Sequence, residues 1–298
     1  MIKILLSNNP DNLKAALSAY SKTATVEAEY GSTVVEGSLV TLAHHGERSD
    51  NPPPCRGDNL GIDVDVIGVS HIDLDTLGGI ARILNVLKLE DDGEFWEAAA
   101  AVDTLGVHKI KDILLGNEDA EAVEAQLNAY WAWSEEHTVH PDREGAVTDV
   151  TADVMNGLKF VTSLGKLSTD APIIKNGQVW AKSKADLAEA SFVDEKWGVV
   201  VRSAPEFTNH LYTDESACVV AYRGDFKSIT ISLANPVDGF DCCELMQELF
   251  GPDAGGQATI AGTPRDKEYV LMDAVKVAYV VRERLGEMVV GAGTMKGQ

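Results

Sequence analysis

The stretch "GVSHIDLDTLGG", residues 68–79, follows directly on the alternating run "GIDVDVI" of residues 61–67. It places His71, Asp73 and Asp75 at every second position and then closes on Gly78 and Gly79. In an extended segment, residues two apart project to the same face, so one imidazole and two carboxylates converge where a strand should end. Such a grouping costs free energy unless something positive sits between its members. Imidazole together with hard carboxylate oxygens suits Mn²⁺ or a similar first-row dication better than calcium or a thiolate-bound zinc. The competing reading is a solvated loop that merely joins a strand to a helix.

Outward from this stretch, the N-terminal region reads as strand ("IKILLS"), helix ("PDNLKAALSAY") and two β-rich runs ("TATVEAEY" and "TVVEGSLVTLA"). A polar, proline-rich loop, "HHGERSDNPPPCRGDN", leads to the strand "IDVDVIGV" and the helix "TLGGIARILNVL". A β-to-α junction with polar residues is where open α/β sheets place their ligands. Three helical patterns follow, in "DGEFWEAAAAVDTLGVHKIKDIL" (broken near Gly106), "EDAEAVEAQLNAYWAWSEEH" and "AVTDVTADVMNGLKFVTSLG". Beyond residue 166, "KLSTDAPIIKNGQVWAKSKADLAEA" mixes Pro, Gly and Lys without a clear period and reads as a connection. The remainder alternates short strands with the helix "DCCELMQELFG" and the glycine-rich loop "GPDAGGQATIAGTPR", then the strand "EYVLMD" and a helix or strand "AVKVAYVVRERL". The expected fold is α/β: a mostly parallel N-terminal sheet with flanking helices over 1–166, a connection over 167–186, and a smaller α+β domain over 187–298.

A length of 298 residues with 45% hydrophobic composition supports two domains with cores of their own. The longest apolar runs fall short of the roughly 18 residues of a membrane span, and "MIKILLSNNPDN" has too short an apolar core for a signal peptide. Cys242 and Cys243 are adjacent while Cys55 and Cys218 are remote, so neither a disulfide framework nor a Cys-x-x-Cys zinc site is indicated. Together these features point to a soluble, cytoplasmic protein with no membrane contact. The net charge of −22 argues against tight binding of duplex DNA, yet a bound dication would let a small phosphate approach.

"SHIDLDTLGG" resembles the first motif of the DHH phosphoesterase superfamily, in which a His-x-Asp-x-Asp run ends a strand and binds manganese. The C-terminal "ITISLANPVDGFDCCELMQELFGPDAGGQATIAGTPR" resembles the DHH-associated domain, whose strand and helix lead into a glycine-rich loop. The resemblance implies a two-domain hydrolase with two Mn²⁺ sites (Mg²⁺ or Co²⁺ as alternatives), compatible with a homodimer. It places His71 and Asp73 on one metal, with Asp75 reaching the other or bridging. The family's Asp-His-His triplet is missing here. Asp103 stands in for the second metal-binding Asp and His108 for a triplet histidine. Asp149 stands in for the last Asp, although "TDVT" also reads as a helix cap. His44 and His45 are the only adjacent histidines; either a rearranged domain brings them to the metals or they lie in a polar loop.

In the C-terminal domain, the resemblance assigns Gly255, Gly256 and Gln257 to phosphate contact, with Gln257 where the family usually has His. Arg265 would supply the missing charge, and Asn209 and His210 are weaker candidates for substrate contact. The implied activity is manganese-dependent hydrolysis of a small phosphodiester or short oligonucleotide by two-metal catalysis. The alternatives are a pyrophosphate or polyphosphate hydrolase and a catalytically degenerate nucleotide-binding protein.

Overall fold

A computed structural model describes residues 2–28, 37–44, 48, 50–87, 89–142, 144–190, 192–196, 199–204, 216–224, 226–264 and 267–295. Four strands of the first sheet, β1 (Lys3–Leu6), β2 (Thr23–Val26), β3 (Ser38–Leu42) and β4 (Val66–Val69), run parallel. A two-residue antiparallel edge, β5 (Thr148–Asp149), completes the order β3-β2-β4-β1-β5. The strand "VIGV" is buried at all four positions, the continuous apolar pattern of a strand covered on both faces.

Register decides what the sheet can do. Leu6 and Val26 both pair with Val69, and Leu42 pairs with Val26, so the four parallel strands end level with one another. Whatever follows them in the chain is therefore delivered to one edge: Ser7 after β1, Glu27 after β2, His44 two residues after β3, and His71 two residues after β4.

Helix α1 (Pro10–Leu17) follows β1, capped by the Asn9 side chain, and packs Leu13 and Leu17 beneath the sheet residue Val66. α2 (Leu74–Ile83) starts at the junction after β4; its N-cap is Asp73, whose Oδ1 accepts from the Thr76 N–H at 2.8 Å. α3 (Leu89–Leu105), the short α4 (Ile110–Ile113), α5 (Ala120–His137) and α6 (Thr151–Leu164) bury Phe95, Trp96, Leu127 and Leu164 in the same core as Ile4, Ile67, Leu77 and Ile80. Gly106, at a φ of 90°, breaks the pattern between α3 and the single turn Val107–Lys109. The helical expectation over "AVTDVTADV" begins later than the periodicity suggested: residues 148–149 pair with β1 as β5, which shields its open edge.

The segment read as an aperiodic connection contains helix α7 (Pro172–Ala190). Proline at its first position suits a helix start, where no N–H partner is needed. Internally, Gly177 is required because a Cβ there would lie 2.4 Å from the backbone N of Ala129 on α5. By contact density the chain divides into Met1–Trp180 and Ala181–Gln298, a division that falls within α7.

The second unit holds a sheet in the order β10-β11-β9-β8-β7-β6. Its strands are β6 (Phe192–Lys196), β7 (Val199–Ala204), β8 (Ser216–Arg223), β9 (Ser228–Leu233), β10 (Gly255–Gln257) and β11 (Ile260–Gly262). Among the described residues its pairings are antiparallel except that of β7 with β8. α8 (Cys242–Phe250) and α9 (Leu271–Met295) cover a core of Val220, Ile229, Ile231, Met246, Ala278 and Val281. One expectation changes here, and one left open between helix and strand is decided. Residues 268–270 are not a strand, and "AVKVAYVVRERL" lies inside α9, where Ala274, Val277, Ala278 and Val281 face the core at helical spacing. The fold class is thus mixed α/β, a mostly parallel sheet with flanking helices beside a smaller, largely antiparallel region.

Candidate metal centre

At the level edge of the first sheet, Glu27, His44 and Asp75 each offer a ligand atom, and these atoms lie within 4.8 Å of one another. Glu27 leaves β2 with a φ of 51°, a left-handed turn that a bulky residue adopts at a cost. Its carbonyl accepts from the Ser70 hydroxyl, and its Oε1 accepts from the His44 N–H at 3.1 Å. The strained turn is thereby tied to the ends of both neighbouring strands.

His44 is nearly buried, with Nε2 2.8 Å from Asp103 Oδ2 and 3.7 Å from Asp75 Oδ2. Asp75, in the first turn of α2, has a side chain only 2% exposed. Its Oδ1 accepts from the Cys55 N–H at 2.7 Å, while its buried Oδ2 has no hydrogen-bond partner among the described residues. Beside this group, His71 Nε2 lies 3.0 Å from Asp73 Oδ2, and its Nδ1 is 2.8 Å from Ser70 Oγ.

The glycine pair now has its reason. A Cβ on Gly78 would sit 2.2 Å from the Cys55 Cβ, and one on Gly79 would sit 2.7 Å from the Pro54 Cβ. Bare backbone at both positions lets the proline-rich loop lie directly on α2, which is what delivers the Cys55 N–H to Asp75.

Electrostatics shows how crowded this edge is with negative charge. Burial first, and then the charges of Asp73 and Asp103, push the Asp75 carboxyl up to about 8 against the hydrogen bond from Cys55. Burial likewise raises Glu27 to about 7, against the opposing pull of His44 and His71. For His44, burial lowers the pKa, but Asp103, Glu27 and Asp75 overcome it and the net direction is up. His71 follows the same logic: burial lowers it, Asp73 and then Glu27 and Asp103 raise it, and it reaches about 9. Burial would raise Asp73 too, yet His71 and the Thr76 N–H hold it below the usual carboxylate range. Two of the acids keep protons near neutrality because burial outweighs the pull of the histidines on Glu27 and is reinforced by Asp73 and Asp103 at Asp75.

Five of the residues expected from the sequence, His44, Asp75, Asp103 and the His71–Asp73 pair, meet at this edge or beside it. Asp149 does not join the group: it is exposed on β5, accepts from Thr151 and lies 3.8 Å from Lys3 Nζ. Gly255, Gly256 and Gln257 form an exposed antiparallel hairpin strand, paired with β11, and not an open loop. Gly256 has a φ of 153°, and a Cβ there would lie 2.2 Å from the Ile260 carbonyl, so the hairpin itself requires this glycine. His45, Asn209, His210 and Arg265 lie outside the described residues, as does the side chain of His108.

Glu27 was not expected. Its partners lie 17 residues on, at His44, and further still, at Asp75, so no local spacing marks it. The one available signal was a charged residue closing a strand whose preceding positions, Thr23 to Val26, are all buried.

No protein-family model matches the chain, and no curated protein sequence does. Solved structures are similar, and one of them matches over nearly the whole chain. It is a pGpG-specific phosphodiesterase, PggH from Vibrio cholerae, and the match covers 96% of this chain and 98% of that one at 9% identity, with a TM-score of 0.42. At that identity and TM-score the likeness establishes neither fold nor activity, which rest on this chain's own residues.

Proposed function

We propose that the chain is a dication-dependent phosphoesterase that hydrolyses a small phosphodiester or short oligonucleotide. The observation that carries this reading is the buried Asp75 Oδ2, which accepts no hydrogen bond, in a group where Glu27, His44 and Asp75 each offer a ligand atom within 4.8 Å of the others. An orphaned carboxylate oxygen among further carboxylates is a cost that a bound cation removes. Hard oxygens with one imidazole fit Mn²⁺, with Mg²⁺ and Co²⁺ as substitutes, and exclude a thiolate site because Cys55 offers the group only its N–H.

Glu27, His44 and Asp75 would hold one dication, and His71 with Asp73 would contribute to a second position. The chemistry such ions supply when bound is Lewis acidity, which makes water a nucleophile near neutral pH and balances charge on phosphoryl oxygens. The protein's own part is positioning and proton handling. Asp103, with a side chain 25% exposed against 2% for Asp75, orients His44 through their 2.8 Å contact and takes the proton of the attacking water. Asp73, tied to Thr76 and His71, fixes the first turn of α2 so that Asp75 presents Oδ2 to the edge. In the second unit, the exposed edge of Gly255–Gln257 offers backbone groups and the Gln257 amide to a phosphate.

Metal analysis of chelator-free protein, followed by hydrolysis assays with Mn²⁺ on dinucleotides, cyclic dinucleotides, pyrophosphate and polyphosphate, tests the reading. Cleavage of a diester is the expected result. Turnover of pyrophosphate alone would favour the phosphoanhydride alternative, and metal or nucleotide binding without turnover would favour the degenerate binder.

A further inference from the structure

A second feature of the first unit lies next to the metal centre and has no part in it. On α5 and α6, three rings form a column: Trp133 stacks on His137 at 4.6 Å with planes 7° apart, and on Phe160 at 4.7 Å with planes 13° apart. The indole thus stacks on two nearly parallel rings, and of these His137 is exposed. Its ring is held in that plane, because Nδ1 lies 2.8 Å from the Trp133 carbonyl one turn back. A solvated histidine at the end of a helix would ordinarily swing freely. Here the platform is assembled in advance, so a planar ligand meets it without an ordering cost.

Place and surroundings say what the platform would receive. Trp133 and His137 line a small cleft with Ile72, the residue between His71 and Asp73, and with Thr138 and Asp153. Gly157 forms part of its wall; a Cβ there would come within 3.3 Å of both Leu77 methyls and 3.5 Å of the indole. Tyr130, buried in the same lining, has its phenol pushed well above the usual range by burial and then by the charge of Asp73, which places the cleft within the field of the metal centre. The chain's balance of 25 basic and 47 acidic residues makes charge attraction a poor general handle for an anionic substrate. Ring stacking needs no charge and works on every base.

We propose that the His137–Trp133–Phe160 column is a nucleobase platform, which takes a base of the substrate onto the exposed face of His137 while its phosphate lies at the neighbouring metal centre. The proposal rests on the phosphoesterase reading for the placement of the phosphate, but the platform itself is tested without turnover.

The test is calorimetric titration of the full-length protein with adenosine 5′-monophosphate and with ribose 5-phosphate, which share the phosphate and differ by the base. The monophosphate binds about ten-fold tighter to the wild type, the preference is lost in His137→Ala and kept in His137→Phe, which restores a flat ring. The preference also survives a rise in salt, whereas the phosphate contribution falls. His137 is exposed, so its replacement leaves the fold intact, as circular dichroism of both variants verifies. Equal binding of the two ligands by the wild type, or a base preference undiminished in His137→Ala, overturns the proposal. Hydrolysis of a dinucleotide, measured in parallel, separates the two readings: a base preference that depends on His137 without any turnover leaves the platform standing and removes the phosphoesterase, and turnover unaffected by His137→Ala does the reverse.

Discussion

Asp75 combines three conditions that rarely coincide in a carboxylate: burial, two acidic neighbours and one oxygen without a partner. Its pKa of about 8, against about 3.9 in an unfolded chain, means that the folded protein keeps a proton that the unfolded chain has already lost. In the metal-free protein, stability therefore falls as pH rises from about 4 to about 8, because the unfolded state binds fewer protons over that window. Glu27, raised to about 7, and His71, raised to about 9, contribute with the same sign. Asp73, whose pKa is lowered, opposes them only where pH falls below the unfolded carboxylate range. Asp75→Asn should separate the metal role from the folding role. In chelator, the variant melts with the wild type near pH 4 and several degrees above it near pH 8, since the amide still accepts from Cys55 and carries no charge. Calorimetry with Mn²⁺ should show its binding abolished. A variant that is less stable at both pH values would make Asp75 a structural residue.

At the scale of elements, the decisive contact is that of the proline-rich loop with α2. Replacing Gly78 by Ala would ordinarily favour a helix by about 1 kcal/mol. Here the new methyl meets the Cys55 Cβ at 2.2 Å, its Cα at 2.8 Å and the Trp96 ring at 2.7 Å. A backbone atom cannot yield as a flexible side chain does, and moving it draws the Cys55 N–H away from Asp75. Overpacking of this kind costs about 1–3 kcal/mol or more, so the clash outweighs the propensity gain and the variant is destabilised. Gly93 in α3 supplies the control, with no atom within 4 Å of an added Cβ. Gly93→Ala should stabilise by about 0.5–1 kcal/mol. Urea denaturation of the two variants checks both signs together, and a destabilised Gly93→Ala would contradict the packing described for this face of α3.

For the molecule as a whole, Glu27, His44, Asp75 and Asp103 all belong to the unit that ends at Trp180. A fragment of residues 1–190, cut after α7 so as not to divide that helix, should fold and retain the Mn²⁺ affinity of the full chain to within a few-fold. Its hydrolytic activity should be lost if the hairpin at Gly255–Gln257 takes part in holding substrate. Titration of the fragment with Mn²⁺ reads the first outcome and a diester assay reads the second. Weak metal binding by a folded fragment would mean that the second unit contributes a ligand.

Local order supplied much of this protein's description before any tertiary contact was known. The helix that follows β4, the strands "KILL" and "VIGV" and the break at Gly106 all follow from periodicity and cap chemistry within a few residues, whereas the extended-strand alternation expected of His71, Asp73 and Asp75 does not hold, because Asp75 already lies in the first turn of α2. The connection over 167–186 misled because α7 presents an irregular face, its glycine being dictated by Ala129 on another helix. The glycines of 255–256 misled for a similar reason: their requirement comes from a paired strand. Glu27 and the roles of His44 and Asp103 depended on sheet order and register, which set β2, β3 and β4 side by side with level ends. Chemistry that follows from neighbours in the chain was legible, because dihedral preference and side-chain period are local properties. The membership of the candidate metal centre was decided only by tertiary structure, because strand register is fixed by burial of the whole sheet, and a one-residue slip would have turned Glu27 to the opposite face.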